Sequence, residues 1–135
     1  MHQQLSDKEL EVSFEACSLD PAIFNHEAHL RLAYLHLQKY GKEQACKNIV
    51  TQLKRYVAHL GAEDKYNETL TIAAVLVVDH FMQKQENSGF SEFIQQHPRL
   101  KNNFKELIVQ HYSTDIFNSE AAKLTFLEPE LLPFE

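Results

Sequence analysis

Eight histidines occur in the 135-residue chain, and three of them, His26, His29 and His36, fall on one breaker-free stretch. At ~100° per residue, His26, His29, Leu30, Ala33, His36, Leu37 and Tyr40 share one side of a helix. Glu27, Arg31, Tyr34, Gln38 and Lys39 share the other, which is expected to be wet. The pattern therefore predicts three imidazoles turned toward the interior. A neutral imidazole brings one donor and one acceptor, and leaving either unpaired costs ~1–3 kcal/mol. Such a seam calls for built-in partners or for a polar cavity. Imidazole also titrates near neutral pH, which suits general acid–base work. His26 and His29 stand one turn apart and could share a ligand. His36 lies ~10 Å further along the axis than His29, so it is expected, like His80, to be a separate and structural case.

A second polar source is Lys65-Tyr66-Asn67-Glu68-Thr69-Leu70-Thr71. Tyr66, Thr69, Ala73, Val77 and His80 share one helical face, and Glu68, Ile72, Val75 and Asp79 another. A helix start carrying hydroxyls, an amide and a carboxylate is a natural ligand clamp. The expected binding set is His26, His29, Tyr66, Asn67, Glu68, Thr69 and Thr71, in a pocket between the second and fourth helices. Structural histidines and exposed or paired carboxylates remain the plainer alternative. A further alternative is a metal held by His26, His29 and Glu68, a donor set suited to iron, zinc or manganese. His26-Glu27-Ala28-His29 is not the zinc-protease H-E-x-x-H, and Glu27 faces away. No nucleophile–base order and no phosphate loop is present. No catalytic residue is therefore assigned, and no cofactor is required by the sequence. His2, His59, His97 and His111 are expected to be peripheral.

The elements that must position these residues read as helices. The three glycines and four prolines punctuate long stretches without breakers. Ser6 and Glu9 have capping-box spacing and start a first helix with Leu10, Phe14 and Cys17 on its stripe. Asp20-Pro21 ends that region. Asn25 caps a second helix to Tyr40, with Phe24 as a staple toward Leu30 or Leu32, and Gly41 stops it. A third runs from Lys42 to Leu60 with Ala45, Ile49, Leu53, Tyr56 and Leu60 in register. The β-branched TLTIAAVLVV predicts a buried fourth helix rather than a strand, because it continues into DHFMQKQEN toward Gly89 and has no strand to pair with. Shorter helices follow at about 90–96, 100–111 and 119–126. The tail LEPELLPFE is extended, with Leu131, Leu132 and Phe134 expected to lie across the bundle. The fold expected is all-α, a single compact bundle of five to seven helices spanning residues 1–135.

Composition narrows the function classes. Apolar residues make up 44% and charged residues 24%, which are globular values. The formal net charge of −6, with no basic run beyond Lys47, Lys54 and Arg55, argues against nucleic acid and against anionic lipid as partners. The N-terminal stretch lacks the pattern of a signal peptide. Cys17 and Cys46 have neither C-x-x-C nor zinc spacing and read as reduced small hydrophobes. A cytoplasmic protein is the expectation.

Phe24-x-His26-x-x-His29-Leu30-x-Leu32-Ala33, followed by Lys65-Tyr66-x-Glu68-Thr69-x-Thr71, resembles a group of small bacterial all-helical proteins. These carry F-x-H-x-x-H-[LV] and, some 35 residues on, Y-H-E-T-[IL]-T. His111-Tyr112-Ser113, Ser119-x-x-Ala122 and Phe126-x-Glu128-Pro129 are similar too. The resemblance implies an architecture and a site location, not a reaction. Asn67 stands where the group has histidine, which favours binding over metal ligation. Two readings follow. One is a small-molecule binding protein or enzyme using the histidine pocket. The other is a non-catalytic protein-interaction module that docks through its Leu- and Phe-rich tail.

Overall fold

The computed structural model of the chain describes residues 2–134. It is all-helical: eight α-helices and two short 3-10 turns, with no strand among the described residues. The helices are α1 (Asp7–Glu15), α2 (His26–Tyr40), α3 (Lys42–His59), α4 (Glu68–Met82), α5 (Phe90–Gln96), α6 (Arg99–Asn102), α7 (Phe104–Val109) and α8 (Glu120–Leu124). No helix is long and apolar enough to cross a membrane, among the described residues. The chain divides into two compact units, Met1–Tyr66 and Asn67–Glu135.

In the first unit the starts and stops follow side-chain chemistry. Ser6 Oγ accepts from the Glu9 amide at 3.0 Å, and Glu9 Oε1 accepts from the Ser6 amide at 2.8 Å, completing the capping box. Asn25 Oδ1 accepts from the Ala28 amide at 2.8 Å and starts α2. Gly41, at φ +83°, ends α2 and begins α3, a left-handed corner that favours a residue without Cβ. Phe24, the residue before the α2 cap, joins an aromatic cluster. Its ring packs on Phe14 and Tyr56, with all three centroid separations at 5.2 Å, and Tyr56 Oη donates to the Leu19 carbonyl. This aromatic knot ties α1 and α3 to the loop before α2.

The side of α2 expected to be wet is not wet at Arg31 and Tyr34, which are buried with every residue from Leu30 to Leu37. Arg31 tolerates burial because its donors are matched. Its guanidinium bonds Asp7 Oδ1 through Nε and Nη2, the Leu5 carbonyl through Nη2 and the His2 carbonyl through Nη1. His2, expected to be peripheral, is buried beside it and reaches Glu27 through Nε2 at 3.3 Å. The N-terminal turn has folded over the polar stripe of α2. Leu60 leaves the α3 stripe, capping the helix with an exposed side chain.

In the second unit, α4 is a buried helix despite its β-branched composition. It stops at Met82, short of Gly89, because Gln83–Ser88 offers no apolar face to bury; Gly89 instead precedes α5. The helix expected over 100–111 breaks at Asn103, whose backbone leaves helical geometry (φ −134°, ψ 35°) and separates α6 from α7. That break raises the helix number above the expected range. The chain after α8 is tethered rather than paired. Thr69 Oγ1 donates to the Thr125 carbonyl and accepts from the Leu127 amide. Tyr112 Oη donates to the Leu127 carbonyl, and the Leu131 amide to the His111 carbonyl. Phe134 packs on His111 with centroids 4.1 Å apart, whereas Leu131 and Leu132 stay exposed.

Candidate functional site

The expected site residues divide between the two units. In the first, His26 is exposed rather than inward, because it occupies the opening position of α2, where the preceding loop turns away. His29, one turn on, is half-buried, and its Nε2 is sealed without a hydrogen-bond partner among the described residues. Phe24 lies against it at 5.8 Å. Burial, and then the neighbouring His26, push the His29 pKa down from 6.5 to about 4. It is thus a neutral imidazole at physiological pH. Tyr66 is half-buried, with Lys54 Nζ 5.5 Å from its ring centroid.

In the second unit, Asn67, Thr69 and Thr71 are buried and their hydrogen-bonding capacity is spent on the fold. Asn67 Oδ1 caps α4 by accepting from the Leu70 amide at 2.9 Å, and its Nδ2 donates to the Ile116 carbonyl at 2.8 Å. Thr71 Oγ1 donates back to the Asn67 carbonyl at 2.7 Å. Thr69 holds the C-terminal segment as described. Glu68 is half-buried beside this cap. Among the described residues, no group of three His, Cys, Asp or Glu side chains is placed to hold a metal ion. Neither Cys17 nor Cys46 is in a disulfide among the described residues.

The histidine that lines a cavity within one unit is His36. A cleft of about 500 Å³ opens between α1, α2 and α3. Each helix presents a stripe to it at helical spacing: Lys8, Glu11, Val12 and Glu15 from α1; His36, Lys39 and Tyr40 from α2; Gln44, Asn48 and Gln52 from α3. The rim is charge-balanced, and Lys39 Nζ is bound to both oxygens of Glu11 at 3.0 and 3.1 Å. The floor is polar and uncharged. Gln44 Nε2 donates to Asn48 Oδ1 at 2.7 Å, which leaves Asn48 Nδ2 to face His36 Nδ1 at 3.3 Å. That relay makes His36 Nδ1 the acceptor and puts the ring hydrogen on Nε2. Burial lowers the His36 pKa, with Glu11 and Glu15 opposing and Lys39 reinforcing, so the ring is neutral.

Two polar atoms of this floor are left over. His36 Nε2 and Gln52 Oε1 are buried without any partner among the described residues, on side chains only 4% and 9% exposed. One is a donor and the other an acceptor. Native interiors rarely leave such groups unpaired. Sequence reasoning set His36 aside, yet a signal was present: Gln44, Asn48 and Gln52 recur at i, i+4 and i+8 on the same helix that carries the apolar stripe. An amide ladder that runs from exposed Gln44 through half-buried Asn48 to buried Gln52 is a cavity wall. No family model, curated protein or solved structure matches the chain, so what it resembles is its own geometry alone.

Proposed function

We propose that this protein binds a small, uncharged polar molecule in the His36 cleft. The reading is carried by one observation: two side chains that line a cavity of ligand size, His36 and Gln52, each keep a polar atom closed to solvent, the Nε2–H donor and the Oε1 acceptor, without a partner among the described residues. A ligand with an amide-like edge satisfies both once the two side chains turn toward the cavity, its carbonyl accepting from His36 and its N–H donating to Gln52. An ionised ligand gains less there, because the rim charges balance, Lys8 and Lys39 against Glu11 and Glu15, and Lys39 is engaged by Glu11. The neutral imidazole favours binding over charge stabilisation. This is a different pocket from the one expected at His26, His29 and Tyr66–Thr71: it lies between α1, α2 and α3 and centres on His36, which was expected to be structural.

The test is a titration of the full chain with 2-pyridone, followed by His36 ring and Gln52 side-chain resonances. N-methyl-2-pyridone, which keeps the carbonyl and lacks the N–H, serves as control. Shifts at both residues with 2-pyridone, weakened at least about tenfold by N-methylation or by Gln52→Leu, support the proposal. Equal binding of the two lactams, or shifts confined to other residues, rejects it.

A further inference from the structure

A second cleft, of about 510 Å³, lies wholly within the second unit. Its polar lining is basic: the cations Lys84 and Arg99 border it, with the imidazoles of His80 and His111 and the amide of Gln110. Among the described residues no Asp or Glu lines it, in a chain whose net charge is −6. The rest of the wall is apolar, including Phe81, Leu107 and Phe134.

Structural accounts cover part of this set. A cation near the end of α4 complements the negative pole of its backbone dipole, which accounts for Lys84 in part. His111 Nδ1–H is fixed on the Leu132 carbonyl at 2.6 Å and holds the tail. Arg99 has no such account. It is the first residue of α6, is exposed, and makes no side-chain hydrogen bond or ion pair among the described residues. Lys84 is likewise without a carboxylate, its Nζ lying 6.0 Å from the Phe81 ring centroid.

We propose that this cleft binds a small organic carboxylate with an aromatic or branched apolar body. Arg99 and Lys84 engage the carboxylate, and Phe81, Leu107 and Phe134 cover the body. A guanidinium presents a fork matched to two carboxylate oxygens. Inorganic phosphate fits the lining less well. No serine, threonine or glycine borders the cleft to supply the close hydroxyl and backbone donors of a phosphate cradle, and the apolar wall would face water.

The experiment titrates the full chain at neutral pH with benzoate, benzamide, acetate and inorganic phosphate, read by the Arg99 Nε–H and His111 ring resonances. Benzoate is expected to shift both in the millimolar range or below. Benzamide, which lacks the charge, and acetate, which lacks the body, should each bind at least about tenfold more weakly. Arg99→Gln with Lys84→Gln should weaken benzoate by at least about tenfold while leaving the spectrum of the first unit unchanged. Both side chains are exposed, so the double variant is expected to fold. Four results overturn the proposal: benzamide binding as well as benzoate, phosphate binding more tightly than benzoate, undiminished affinity in the double variant, or no shift at millimolar benzoate.

Discussion

The clefts at His36 and at Arg99 are nearly equal in volume, about 500 and 510 Å³, yet they hold their polarity in opposite ways. At His36 the unpaired groups are neutral and buried, and the charges stand on the rim in mutual balance. At Arg99 the unpaired groups are charged and exposed, and most of the remaining wall is apolar. Water solvates Arg99 and Lys84 fully, so that cleft carries no penalty while empty. Water is kept from His36 Nε2 and Gln52 Oε1, so the first cleft lowers the stability of the empty fold. A ligand of the first cleft is therefore selected by hydrogen-bond pattern. A ligand of the second is selected by charge and then by apolar surface.

The largest expected effect tests whether the first unit depends on matched polarity outside its cleft. Arg31 is buried there with its guanidinium bonded to Asp7 and to two backbone carbonyls. Arg31→Leu leaves the His2 and Leu5 carbonyls without their donor, while Asp7, 62% exposed, returns to water, and should cost ~2–4 kcal/mol in urea unfolding. A loss below ~1 kcal/mol would mean that the first unit does not depend on matched polarity. Asn67→Ala removes the α4 cap and the Ile116 bond together and should cost ~2 kcal/mol by the same measurement.

The pH response sharpens the contrast. His29 has a folded pKa of about 4 against 6.5 unfolded, so the unfolded chain takes up a proton first as pH falls. Stability should decline from pH 6.5 toward 4, and His29→Gln should flatten that decline. His36, whose pKa burial also lowers, contributes in the same direction. Unfolding midpoints at pH 7 and pH 5 for parent and variant provide the check. Smaller still, His36→Leu should leave stability within ~1 kcal/mol of the parent, or raise it, while abolishing lactam binding. Arg99→Gln should change stability by under ~0.5 kcal/mol. A large loss from either substitution would remove the distinction between the clefts.

Legibility in the sequence followed the range of the interaction. Ser6, Asn25 and Asn67 bond to amides three residues on, and Gly41 solves a local backbone problem, so the starts of α1 and α2 and the α2–α3 corner could be read directly. Periodicity also placed α3, and breaker spacing placed α5. Arg31 could not be read, because its partners, His2, Leu5 and Asp7, lie 24 to 29 residues away. A helical wheel assigns it to solvent, since the wheel does not know that the N-terminus folds over it. The structural bonds of Asn67 and Thr69 are hidden for the same reason. Their types suggest a ligand, and their distant partners, Ile116, Thr125 and Leu127, are backbone. The His36 cleft needs three helices at once, and only its α3 stripe is visible along the chain.

The segment from Thr125 to Phe134 belongs to no helix, yet Thr69, His111 and Tyr112 clamp it, and Leu132 and Phe134 form part of the Arg99 cleft. The cleft thus exists only while the segment is docked. Occupancy and docking are linked equilibria, and whatever fills the cleft tightens the clamp. Protease access to the exposed Leu131–Leu132 stretch then becomes a gauge of occupancy: its cleavage rate should fall as the cleft fills, in proportion to the fraction of molecules left empty.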